Sequence, residues 1–178
     1  VGSLSADVAG SLNNISSALH TLPFFLFSAF AGQLVDKLDK AYVARRLRFI
    51  EIFIAAIAAF ALFSDNIPFQ LFCVFLLGAQ SAFFGPVKYG ILPQHLHKEE
   101  LIGGNGLVEM ATFVAILLGV IFGSVAITLP GGRWTVGAVM VGAALLSFWT
   151  ATRIPPAPSA QPELKLNWNF IGETWNLL

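Results

Sequence analysis

Apolar runs long enough to cross a lipid bilayer constrain this chain more than any single motif. A hydrocarbon core of about 30 Å needs roughly 17–25 helical residues to span it. Five stretches meet that length: about 15–35, 47–63 (LRFIEIFIAAIAAFALF), 68–85, 107–129 and 134–151. Pro23 is expected to kink the first, and Pro68 opens the third in the first-turn position that proline suits. The connections SDNIP at 64–68 and LPGGR at 129–133 are short and rich in turn formers. Short links make sequential helices antiparallel. A transmembrane barrel needs short strands alternating apolar and polar residues, and these runs are continuous instead. The expected fold class is an all-α membrane protein, a bundle of five transmembrane helices.

Composition agrees. Of 178 residues, 56% are hydrophobic and 11% charged, against about 25% charged in a soluble domain. So little polar cover excludes a soluble monomer. A net charge of zero leaves no global basic footprint for nucleic acid. The first ten residues, VGSLSADVAG, lack the charged start and immediate apolar run of a signal peptide. The single Cys73 sits in LFCVFLLG and is expected to be a small buried hydrophobe.

Where the cations fall predicts orientation. Lys37, Lys40, Arg45, Arg46 and Arg48 follow the first span, Lys88 and Lys98 the third, and Arg153 and Lys165 the fifth; the opposite side has only Arg133. Nine cations against one place these links and the C-terminal tail in the cytoplasm. The N-terminal segment then faces outward, which predicts an earlier helix upstream. After Arg153 a Pro-rich stretch at 154–163 reads as a stiff extended linker. Within 164–178, Trp168, Ile171, Trp175 and Leu178 share one helical stripe. That stripe fits either a cytoplasmic interfacial helix or an amphipathic helix packed on a following domain.

Charged and polar groups inside the spans are costly, about 2.5–3.5 kcal/mol for an Asp at the bilayer centre, and mark candidate sites. In the fourth span Asn105, Glu109 and Thr112 recur at helical spacing and form a polar stripe. Glu109 must then point into the bundle or a cavity, with Lys88 as its expected partner. Gly85-Pro86 is expected to break the third helix just before Lys88. A point charge at that depth suits a phosphate; a structural Lys–Glu tie between helices explains the same residues. Glu51 and Arg48 form a same-face pair, and Gly119 and Gly123 make a GxxxG that favours close helix packing. His20 reads as a packed polar residue. His95 and His97 have no further Cys or His nearby, so neither a metal nor a cofactor is expected. HExxH and GxSxG motifs are missing, so no enzyme activity is expected of this stretch.

Two stretches resemble a known family. Gly32-Gln-Leu-Val-Asp36-Lys37, with the basic residues that follow, resembles the loop signature of the major facilitator superfamily, although the glycine after the Asp–basic pair is not at its place. The resemblance implies that Gly32 and Asp36 form a conformational latch against the other half of a transporter. GPVKYGILPQHL and ELIGGNGLVEMATFVAILLG look like the bacterial lysophospholipid transporters of that superfamily, especially the form fused to acyltransferase and acyl-carrier-protein ligase domains. This implies a secondary transporter of the bacterial inner membrane that moves lysophospholipid inward for reacylation. The five spans would be helices two to six of an N-terminal half, with the first helix and the C-terminal half lying outside this stretch. Lys88, Asn105 and Glu109 match motif positions and are candidate headgroup contacts. The family's proton-coupling Arg is not evident in FLLGAQSAFFG, so no proton antiport is expected. A carrier of another small solute, or a non-transporting anchor for fused acyltransferase domains, remains the alternative.

Overall fold

A computed structural model describes residues 6–64, 66–159 and 161–164. Its elements are five helices: α1 (Ala6–Lys37), α2 (Lys40–Ala61), α3 (Ile67–His95), α4 (Leu101–Ala126) and α5 (Gly132–Ala151), with a single 3-10 turn at Lys98–Glu100 before α4. Residues 165–178, which hold most of the expected interfacial helix, lie outside the described residues.

Four of these helices are long and apolar enough to cross a membrane, the exception being α2. Its first twelve residues carry Lys40, Arg45, Arg46, Arg48 and Glu51, and it is continuously apolar only beyond them. The helix therefore starts at Lys40 rather than at the edge of the apolar run. Asp39 makes that start possible: its side chain accepts a hydrogen bond from the Tyr42 N–H at 2.7 Å, capping α2. Asn66 caps α3 in the same way through the Phe69 N–H at 3.0 Å.

The break expected at Gly85-Pro86 is absent. α1 runs continuously through Pro23, which is fully buried, and α3 runs through both Pro86 and Pro93 to His95. Each proline removes one N–H and leaves a carbonyl one turn back without its usual donor, yet the flanking apolar turns keep the helix going in both cases. α3 thus extends well past Gly85, and Lys88 sits on a helix rather than on a broken segment.

Packing fixes the directions. His20 of α1 lies against Gly78 of α3, Phe27 stacks on Phe83 while Phe30 meets it edge-on, and Val35 meets Val87. Both numbers rise together, so α1 and α3 run parallel. Along α2 and α3 they run oppositely: Val43 and Ala44 meet Val87 at one end, and Ala58 and Ala61 meet Cys73 at the other. α5 is antiparallel to α2, through Phe49–Phe148 at 5.6 Å and Phe63–Trp134 at 4.5 Å. The ends of α1, α3 and α5 therefore share one end of the bundle with the start of α2. That end collects Lys37, Lys40, Arg45, Arg46, Arg48, Lys98 and Arg153, while Arg133 stands at the other.

Small residues let the backbones approach, as membrane helices require. The buried positions of α2 are mainly alanines (Ala41, Ala44, Ala55, Ala58, Ala61). At Gly137 of α5 an added Cβ would stand 3.3 Å from the Ala59 methyl. At Gly78 a Cβ would collide with the His20 carbonyl. α4 is the outlier. Its only buried residue is Ala126, and the expected GxxxG face finds no neighbour at Gly119 or Gly123 among the described residues.

Residues 154–159 and 161–164 do not trail away from α5. Ala157, fully buried, pairs with the α1–α2 turn: its N–H donates to Asp39 Oδ2 at 3.0 Å and its carbonyl accepts from the Lys40 N–H at 2.8 Å. The Gln161 N–H donates to the Asp36 carbonyl at 2.9 Å, and Gln94 Nε2 to the Pro158 carbonyl at 2.9 Å. Ile154 packs into the cluster of Val35, Val43, Ala44 and Val87.

Candidate functional site

Polar chemistry inside the apolar helices concentrates between α3 and α4. Lys88 Nζ lies 3.3 Å from Glu109 Oε1 and 3.2 Å from Thr112 Oγ1. Thr112 donates its own hydroxyl hydrogen to the Val108 carbonyl at 2.7 Å, which turns its lone pairs toward the ammonium. The Tyr89 hydroxyl donates to the same Glu109 oxygen, and Lys88 Nζ stands 4.5 Å from the Tyr89 ring centroid. One carboxylate oxygen thus accepts from a cation and a phenol, while Glu109 Oε2 is left for another donor.

The expected Lys88–Glu109 pair is therefore formed, and Thr112 joins it from the predicted stripe. Asn105, one turn earlier on α4, is exposed and makes no hydrogen bond to this network. Side chains of the pair are 22% and 39% exposed, so neither charge is sealed by protein. Both groups are thus partly accessible from outside the pair.

Tyr89 was not anticipated from the sequence. Adjacent helical residues diverge by about 100°, so Lys88 and Tyr89 do not share a face by spacing alone. The long lysine stem brings its ammonium back over the ring, where the ring face attracts it.

Gly32 and Asp36, the expected latch, lie in the last two turns of α1 at the basic end. A Cβ at Gly32 would meet open space, and the Asp36 side chain is exposed while its backbone carbonyl is engaged by Gln161. No neighbouring helix covers them among the described residues. Arg48 and Glu51 form the expected pair at 2.6 Å, and the Arg48 guanidinium also lies 3.5 Å from the Phe84 ring centroid. His20 is exposed beside Phe24 rather than packed; it is its backbone that meets α3. Lys40 is only 4% exposed, with its stem against Gly90 and its Nζ without a hydrogen-bond partner. Nothing in the sequence distinguished Lys40 from its exposed neighbours.

Comparison with known proteins decides the family. The model of the major facilitator superfamily matches residues 3–178. The chain belongs to the major facilitator superfamily. Within this superfamily it is 30% identical over 157 residues to the "Lysophospholipid transporter LplT" of Citrobacter koseri, covering 86% of this chain and 34% of that protein. It is also 30% identical over 158 residues to the protein of the same name from Escherichia coli O1:K1, covering 87% and 35%. The Escherichia coli O139:H28 protein gives 31% over 159 residues. The chain spans about a third of the length of these relatives. As a superfamily member it is a multi-pass membrane protein of a transporter family, and no enzymatic chemistry is implied for it by these relatives.

Proposed function

We propose that this chain is part of a secondary transporter that carries lysophospholipid across the bacterial inner membrane, from the outer to the inner leaflet, for reacylation. The carrying observation is the open Lys88–Glu109 pair with Tyr89 and Thr112, set between two helices otherwise apolar at that depth. Similarity to the lysophospholipid transporters supports the substrate class. On this reading the five helices are helices two to six of an N-terminal half, and their basic end faces the cytoplasm. The lysolipid phosphate meets Lys88 and Thr112, and the headgroup amine meets Glu109 and the exposed Asn105. The acyl chain stays against apolar helix surface, where its transfer to water is avoided. Transport follows from rocking of this half against its counterpart around that site, with Gly32 and Asp36 contacting the counterpart at the basic end. In forms with fused acyltransferase and ligase domains, the delivered lysolipid would be consumed on the same side.

A second reading rests on the pair being already bonded: Lys88 and Glu109 then only tie α3 to α4. Uptake of lysophosphatidylethanolamine by the full-length carrier separates the two. Lys88→Ala is expected to lower uptake by about 10-fold or more at unchanged expression, as loss of a charge-assisted contact of about 1.5–3 kcal/mol implies. The exchanged pair, Lys88→Glu with Glu109→Lys, restores a tie but inverts the site. Uptake recovered by the exchange establishes the tie and removes headgroup recognition from these residues.

A further inference from the structure

A second polar feature lies apart from this pair, in the cleft between α2 and α5 at the basic end. A groove of about 360 Å³ is lined by Tyr42, Arg45, Arg46, Phe49, Phe148 and Thr152. Its floor is aromatic, with Phe49 and Phe148 at 5.6 Å between centroids, and Phe49 continues along α2 to Phe53 at 5.2 Å. Phe53 is 55% exposed, so the aromatic track leads onto the outer surface of the bundle.

The rim is cationic and uncompensated. Arg48, the next arginine on α2, is already taken by Glu51 and Phe84. Arg153, at the foot of α5, stacks on Trp149 at 4.6 Å and does not line the groove. Arg45 and Arg46 have no carboxylate within salt-bridge distance among the described residues, and no acidic residue lines the groove. Arg46 lies over the Tyr42 ring at 5.1 Å, a contact that attracts the cation without neutralising it. Two guanidinium forks above an apolar floor, at the depth where a membrane helix leaves the hydrocarbon, match one chemistry: a phosphate with an acyl chain attached. Guanidinium binds phosphate oxygens in a bidentate manner, and basic pockets between membrane helices hold anionic headgroups.

We propose that the α2–α5 groove is a binding site for a membrane phospholipid with net negative charge, its phosphate between Arg45 and Arg46 and its acyl chain along Phe49 and Phe53. The site is distinct from the α3–α4 pair and does not depend on what the carrier transports. An occupant bound there bridges α2 and α5 and stabilises the folded carrier by mass action.

The test uses the purified full-length carrier in neutral detergent, with thermal midpoints read during titration by short-chain phosphatidylglycerol, phosphatidylethanolamine or inorganic phosphate. Phosphatidylglycerol is expected to raise the midpoint by about 3 °C or more at saturation, and the other two to leave it unchanged. Arg45→Gln with Arg46→Gln abolishes the rise, whereas Arg153→Gln keeps it. If the double variant does not accumulate, each single variant is titrated instead and is expected to bind phosphatidylglycerol about 10-fold more weakly. A rise of wild-type size and affinity in the arginine variants overturns the site. An equal rise with phosphatidylethanolamine overturns its charge selectivity, and an equal rise with inorganic phosphate overturns the role of the acyl chain.

Discussion

Replacing Asp39 by alanine removes the acceptor from two backbone N–H groups at once. Asp39 Oδ1 caps α2 through Tyr42 N at 2.7 Å, and Oδ2 holds Ala157 N at 3.0 Å. Loss of the cap costs about 1 kcal/mol. Leaving the N–H of Ala157 without its carboxylate costs about 1–2 kcal/mol, because that residue is fully buried. The two contacts lie on different segments, so Asp39→Ala is expected to destabilise the carrier by about 2–3 kcal/mol. Asp39→Asn separates them: asparagine caps about as well as aspartate, but its amide group cannot accept from Ala157. That variant should cost only about 1–2 kcal/mol. Denaturant midpoints of the purified full-length carrier give the totals, and hydrogen exchange resolves the parts. Alanine should speed exchange at both Tyr42 and Ala157, and asparagine at Ala157 only. If asparagine loosens both sites equally, or alanine loosens neither, the bridging role assigned to this carboxylate is wrong.

Three further outcomes follow from the packing. Gly78→Val places a side chain where the His20 carbonyl of α1 already sits. It should reduce the monodisperse folded carrier severalfold in fluorescence-detected size-exclusion chromatography, while the same change at Gly142, which faces open space, leaves the profile unchanged. Cys73 is 3% exposed and free, so membrane-permeant maleimide should label it only after denaturant unfolds the helices. Cysteines placed at Leu38 and at Ser64 should be labelled from opposite faces of the membrane, since the connections that hold them lie at opposite ends of α2; labelling from one face refutes the bundle.

The helices were legible in the sequence because each carries a long apolar run, complete enough in α1, α3, α4 and α5 to cross a membrane and confined in α2 to its second half. Their ends were less so, because hydrophobicity reports burial in lipid and not backbone conformation. α2 begins at Lys40, seven residues before the apolar run at 47–63, since Asp39 supplies the cap. α4 starts at Leu101 and carries Gly103, Gly104 and Gly106 within it. The Lys88–Glu109 pair could be foreseen because an isolated charge in an apolar helix needs a partner. Tyr89 could not, since its approach depends on how α3 and α4 cross. The docking of Ala157 was equally hidden: main-chain hydrogen bonds leave almost no trace in residue type.

Because Ala157 and Gln161 are fastened beside Lys40 and Asp36, the stretch up to Leu164 is anchored to the flank of α1 and not only to the foot of α5. A pull applied at Leu164 therefore loads the α1–α2 corner first, and the last turn of α5 is shielded from it.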